Sequence, residues 1–220
     1  MTHWENRPEK NWKKFRFNQP YAKGLKRLKE EVLAKTDFDP AVLWQWGAMQ
    51  ARGVIEILKA CERAFGKQGQ EVVCEAIRKV GYDVGRQALE GIKQDEELTE
   101  ADLVSFFGTA MNRIAYASLE APAIDAQDRV SFDILWCPHQ DIYGPFDCRV
   151  QRYFVQGMID AAKDIAIRDG WQMKFTEIIP AGAEKCRFQI WRATDQEKSE
   201  WERYSAKLDA KALEMSENKE

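Results

Sequence analysis

Cys137, His139 and Cys148 fall within the stretch WCPHQDIYGPFDC, residues 136–148, and His139 is the sole histidine beyond His3. A thiol within reach of an imidazole is the core of nucleophilic catalysis, because the base takes the proton that masks the sulfur. With Cys186, the same residues also offer the sulfur and nitrogen donors that suit zinc or iron. Their spacing, C-x-H-x8-C-x37-C, matches none of the common structural zinc patterns. The expectation is therefore no metal cofactor, with Cys137, His139, Cys148 and Cys186 as ligands should zinc or iron bind. A third use is architectural: Pro138 and Gly144 turn the chain, and Cys137 and Cys186 act as small packing residues.

Other residues join this candidate site. Glu177 alternates with Phe175 and Ile179, which places it on the apolar face of a strand, where an unpaired carboxylate is costly and suited to act as a base. A register shift or bulge would instead turn it outward toward Arg187 or Lys174. Arg149 and Arg152 open a helix directly after the loop, placed to clamp a carboxylate through paired N–H bonds or to stand as ordinary surface charges. Trp136, Tyr143, Phe146 and Trp191 would give a pocket aromatic walls, and Asp141 and Cys148 complete the candidate binding set.

The elements that must position these groups follow from periodicity. Leu25, Leu28 and Val32 predict a short helix that stops at TDFDP, residues 36–40. Asp39 before Pro40 reads as an N-cap with proline at the first helical position. It opens a long, largely buried helix through Leu43, Trp46, Val54, Ile57, Leu58, Cys61 and Phe65 to Gly66. Val73, Ala76, Ile77, Val80, Val84 and Leu89 predict the next helix, on which Gly81 and Gly85 permit another helix to approach closely. Thr99 and Asp102 form a capping box for a helix through Leu103, Phe107, Met111 and Ile114, which APAIDAQD, residues 121–128, interrupts. Cys61 and Cys74 lie in apolar helical stripes and read as core.

Beyond Asp128 the period falls to two. Val130, Phe132, Ile134 and Trp136 predict a strand ended by Pro138; Met173, Phe175 and Ile179, then Cys186, Phe188 and Ile190, predict a hairpin. A crossover helix lies between, through Val150, Phe154, Met158 and Ile165, and the charged stretch with Trp201, Tyr204 and Leu208 predicts a surface helix fraying into SENKE. The fold class is α+β: N-terminal helices followed by a small antiparallel sheet with a crossover helix and a charged C-terminal helix.

A chain of 220 residues, 45% of them apolar, buries a real core. Residues 19–220 read as one domain behind an arm, residues 1–18, that carries Trp4, Trp12, Phe15 and Phe17 among basic residues. Such an arm packs over its own domain or across a neighbouring subunit in a homo-oligomer; stacking on single-stranded nucleic acid is the alternative. The net charge of −3, with signs interspersed, provides no field for nucleic acid or an anionic membrane, so neither is an expected partner. The first residues are too polar for a signal peptide, and no run approaches the roughly 18 apolar residues of a membrane span. A cytoplasmic protein is expected, its five cysteines free thiols.

AFGKQGQEVVCEAIRKVGYDVGRQAL, ILWCP at a strand end, a further cysteine after a short loop, and GAEKCRFQIWR occur in this order over about residues 50–193. Together they resemble the L-2-amino-thiazoline-4-carboxylic acid hydrolase family. The resemblance implies a compact α+β enzyme that opens a sulfur-containing cyclic amidine with water, with matching positions at Cys137, Pro138, Cys148, Gly182 and Cys186; Ala183 stands where an acidic residue is expected. On that reading Cys137 is nucleophile, His139 shuttles the proton, and Cys186 and Glu177 assist, around a cyclic, aromatic substrate. The last motif also resembles the vinyl-reductase type of small-ligand domain, which implies binding or sensing without turnover. A metal-dependent lyase or hydrolase is the third reading.

Overall fold

The computed structural model describes residues 18–35, 37–90, 99–116, 118–167 and 170–217. The proposed arm lies almost wholly outside them. Helix α1, Ala22–Arg27, runs on through a wider-wound turn, Leu28–Leu33; α2 is Ala41–Leu89 and α3 Glu100–Tyr116. Strands β1, Leu119–Ala126, and β2, Arg129–Trp136, precede α4, Arg149–Ile165; β3, Trp171–Glu177, and β4, Cys186–Arg192, precede α5, Asp195–Glu217. The class is α+β, as the periodicity predicts.

Local chemistry sets the helix starts. The Asp39 Oδ1 accepts from the Ala41 N–H at 2.9 Å. Thr99 and Asp102 form the reciprocal box, with the Asp102 N–H donating to the Thr99 hydroxyl at 3.1 Å and the Thr99 N–H to the Asp102 carboxylate at 3.0 Å. Thr194 and Glu197 repeat that arrangement at the head of α5.

Helix α2 is not a straight rod. Gly66 takes φ 58°, ψ −139°, a combination that only glycine reaches without strain, and the chain doubles back there. A Cβ on Gly69 would lie 2.2 Å from the Cys61 carbonyl oxygen, and the Gln70 amide reaches Glu62 at 2.7 Å. The first half packs inward through Ile55, Leu58 and Glu62, with Ala51 and Val54 beside them, while Trp46 and Phe65 are 61% and 68% exposed and Leu43 and Ile57 are exposed as well. The expectation of a largely buried helix fails because its apolar residues encircle it and the described elements cover one side. In the second half Gly81 and Gly85 press against α4 as expected: a Cβ at Gly81 would stand 2.0 Å from the Phe154 carbonyl oxygen, and one at Gly157 1.9 Å from that of Arg78.

The sheet is antiparallel in the order β1-β2-β4-β3. Strand β1 replaces the break expected at residues 121–128. Its Pro122 is tolerated because β1 is an edge strand that pairs on one side only. Val130, Phe132, Ile134, Phe188 and Ile190 bury the sheet face toward Leu103, Phe107, Met111 and Met158 of α3 and α4, each at 4% exposure or less. Trp136, the last residue of β2, leaves this face and is 44% exposed. Helix α5 buries Ala212 and Ser216 and runs to Glu217; the rest of SENKE, where fraying is expected, lies outside the described residues.

Candidate functional site

The largest concentration of the sequence-chosen residues surrounds a cavity of about 440 Å³ beneath α5. Phe146, Cys148, Arg149 and Arg152 come from the corner loop and the first turn of α4, Phe175, Glu177 and Ile178 from the end of β3, and Trp201, Tyr204, Leu208 and Asp209 from α5. Both arginines are buried, at 8% and 7%. Arg149 donates to Glu62 at 2.7 Å and to the Phe146 carbonyl at 2.9 Å. Arg152 pairs with Asp209 and donates to the Tyr153 hydroxyl at 3.0 Å. After these bonds the Arg149 Nε and Arg152 Nη1, both sealed from solvent, find no partner among the described residues. Glu62 is fully buried and also accepts from Ser216 at 2.6 Å, while Gln70 donates to the Asp209 carbonyl at 2.9 Å. A polar clasp therefore joins the doubled α2, the head of α4 and the end of α5 behind an apolar cavity wall.

Glu177 takes the outward alternative. The β3–β4 register slips between Phe175 and Glu177, which sets Glu177 opposite Arg187 and exposes it at the cavity rim.

The thiols come together differently. Ile179 donates its N–H to the Cys186 sulfur at 3.2 Å. Burial pushes the Cys137 thiol up to about 11, although the His139 and Gln140 main-chain N–H groups face it and pull the other way. Burial also raises Cys186, and it raises Cys148 far above the ordinary thiol range, with Cys186 and Cys137 opposing its ionisation further. What reaches the Cys137 sulfur from His139 is thus a main-chain N–H. The His139 ring stacks on Tyr143 at 5.1 Å between centroids and meets the edge of Tyr116 at 6.2 Å. It lines a second cavity with Tyr143, and burial lowers its pKa, which keeps it neutral. Cys137 and Cys186 line neither cavity. Trp191 packs edge-on against Trp201 at 6.2 Å, outside the arginine cavity, and Asp141 is exposed.

Among the described residues no group of three or more His, Cys, Asp or Glu side chains is arranged to hold a metal ion. All five cysteines are free, and no described helix is long and apolar enough to cross a membrane.

An uncharacterized protein of Archaeoglobus fulgidus is 56% identical over 217 residues, spanning 96% of this chain and 96% of that protein. The chain belongs to the family of that archaeal protein. No protein-family model matches it. Among solved structures, a trafficking protein particle complex subunit 3 from Naegleria fowleri, covalently bound to palmitic acid, aligns with a TM-score of 0.45 at 10% identity, over 67% of this chain and 95% of that one.

The residues that sequence reasoning missed are Glu62, Gln70, Asp209 and Ser216. Glu62 carried a signal: it sits beside Cys61 and one turn beyond Leu58 on a helix face otherwise apolar, where a carboxylate stays only if paired.

Proposed function

We propose that this protein captures a small molecule with an apolar or aromatic body and an anionic head in the cavity between α4 and α5. The observation that carries this reading is the pair of buried arginines among the lining of an otherwise largely apolar cavity. A carboxylate or a similar planar oxyanion is the group that a pair of guanidinium side chains recognises. The walls of Phe146, Phe175, Ile178, Trp201 and Leu208 favour a ring or chain over a small polar metabolite.

Capture accounts for the site better than thiol catalysis. A cysteine nucleophile works as the thiolate, and burial keeps Cys137, Cys148 and Cys186 protonated at neutral pH. The hydrolytic reading implied by the resemblance to L-2-amino-thiazoline-4-carboxylic acid hydrolases stays as the alternative, with the same cavity as its substrate site and Cys148, Glu177 and Asp209 as its available groups. The five free thiols fit a reducing, cytoplasmic setting.

Calorimetric titration of aromatic carboxylates, with 2-naphthoate as the first probe, tests the proposal. Binding is expected, and Leu208→Trp, which fills the cavity from one wall, should weaken it at least tenfold while leaving the unfolding midpoint near that of the parent. Binding unaffected by Leu208→Trp would overturn the site assignment. Mass spectrometry of the same mixtures separates the two readings, since an enzyme converts 2-amino-thiazoline-4-carboxylate in molar excess over protein whereas a binding protein returns it unchanged.

A further inference from the structure

The second cavity, about 400 Å³, is a groove between the two limbs of α2, the end of α3 and the corner loop. Its walls include Trp44, Trp46, Val54, Val80 and Phe154, with His139 and Tyr143 from the loop. Among the described residues no aspartate, glutamate, lysine or arginine lines it, which sets it apart from the arginine cavity. One polar residue in it is unfinished: His139 is 7% exposed, its Nδ1 is sealed off without a partner among the described residues, and its Nε2 is not sealed and makes no hydrogen bond among them. The unsealed Nε2 is the ring nitrogen that a ligand's donor or acceptor can pair with, and a matched bond at a largely buried residue favours binding. The absence of charged walls works against ions, since an ion entering there would lose water without gaining a counter-charge. The volume suits a small ring system.

We infer that this groove is a second binding site, separate from the arginine cavity, that takes a neutral, flat aromatic compound carrying one hydroxyl or ring N–H, held by stacking on its aromatic walls and by one hydrogen bond to His139. The neutral imidazole has both a donor and an acceptor nitrogen, so a phenol or an indole-like N–H finds a partner there. Burial that lowers the His139 pKa keeps it in this state.

Equilibrium dialysis of the full chain against 2-naphthol, naphthalene and 2-naphthoate tests the assignment. 2-Naphthol is expected to bind about fivefold more tightly than naphthalene, the worth of one net hydrogen bond. It should bind alongside saturating 2-naphthoate. Gly47 lines the groove and a Cβ there meets nothing within 4 Å, so Gly47→Phe should fill the site without disturbing the fold and reduce 2-naphthol binding at least tenfold. Ala48→Phe is the second filling variant should the first prove unstable. His139→Leu should abolish the preference for 2-naphthol over naphthalene while retaining naphthalene binding, a readout that general loss of packing would not give. The proposal is overturned if 2-naphthol does not bind. It is equally overturned if both filling variants bind it normally, or if His139→Leu keeps the preference.

Discussion

Glu62 and Arg149 meet at 2.7 Å with side-chain exposures of 0% and 7%, across 87 residues of sequence. Gln70 and Ser216 complete the Glu62 carboxylate, so three helices of the chain depend on this one buried charge pair. Removing one partner strands the other in a medium that solvates it poorly. Glu62→Leu is expected to cost about 3–5 kcal/mol in urea unfolding, and Glu62→Leu with Arg149→Met clearly less than the sum of the two single changes. Additive losses would show that the pair is not coupled.

Two glycines in helices should respond in opposite directions. A Cβ at Gly157 would lie 1.9 Å from the Arg78 carbonyl oxygen, whereas one at Gly53 meets nothing within 4 Å. Gly157→Ala should force α4 away from α2 and cost about 3 kcal/mol, and Gly53→Ala should stabilise by about 0.5–1 kcal/mol through helix propensity. Thermal unfolding of the two variants decides it. Equal midpoints would contradict the close helix approach.

Cys137 should be a slow thiol in the native protein. Its pKa is raised from 9.0 to about 11, so at pH 7.5 the thiolate fraction is about a hundredfold below that of an unperturbed cysteine. Iodoacetamide labelling read by peptide mass spectrometry should show that lag, and it should vanish in urea. The folded state holds the proton that the unfolded chain releases near pH 9, so the contribution of this thiol to stability is present below pH 9 and is lost as pH rises toward 11.

His139 acts at the other end of the pH range. Burial lowers its pKa below 6.5, so the unfolded chain takes up a proton that the folded protein resists. Stability from this residue is present above pH 6.5 and falls as pH drops below it. Urea midpoints between pH 7.5 and 5 should decline more steeply for the parent than for His139→Gln, and parallel slopes would remove His139 as the cause.

Where short-range chemistry decides, the sequence was readable. The Thr99–Asp102 box, the Gly81 and Gly85 approach and the β3–β4 hairpin all follow from neighbours a few positions apart. Strand β1 escaped because Ala, Pro and Asp have weak strand preference, and its pairing with β2 is a tertiary gain that no window around residues 119–126 contains. The exposed flank of α2 escaped for a related reason: periodicity says which faces are apolar but not whether anything covers them. At the site, Phe146, Cys148, Arg149, Arg152 and Glu177 share one cavity, reachable from a loop and an adjoining helix start. The opposing wall was hidden because Trp201, Tyr204 and Leu208 sit in a charged stretch that looks solvated. His139 and Cys137, two residues apart, send their side chains to different surroundings, since a tight turn separates neighbours as readily as it joins them.

Helix α5 serves as both bolt and door. Asp209 and Ser216 fasten it to Arg152 and Glu62 while Trp201, Tyr204 and Leu208 shut the arginine chamber. Any change that slackens the bolt also lets water behind the door. Across variants that loosen Asp209 or Ser216, tolerance to heat and the proposed grip on a ligand should therefore fall together, although neither substitution fills the chamber.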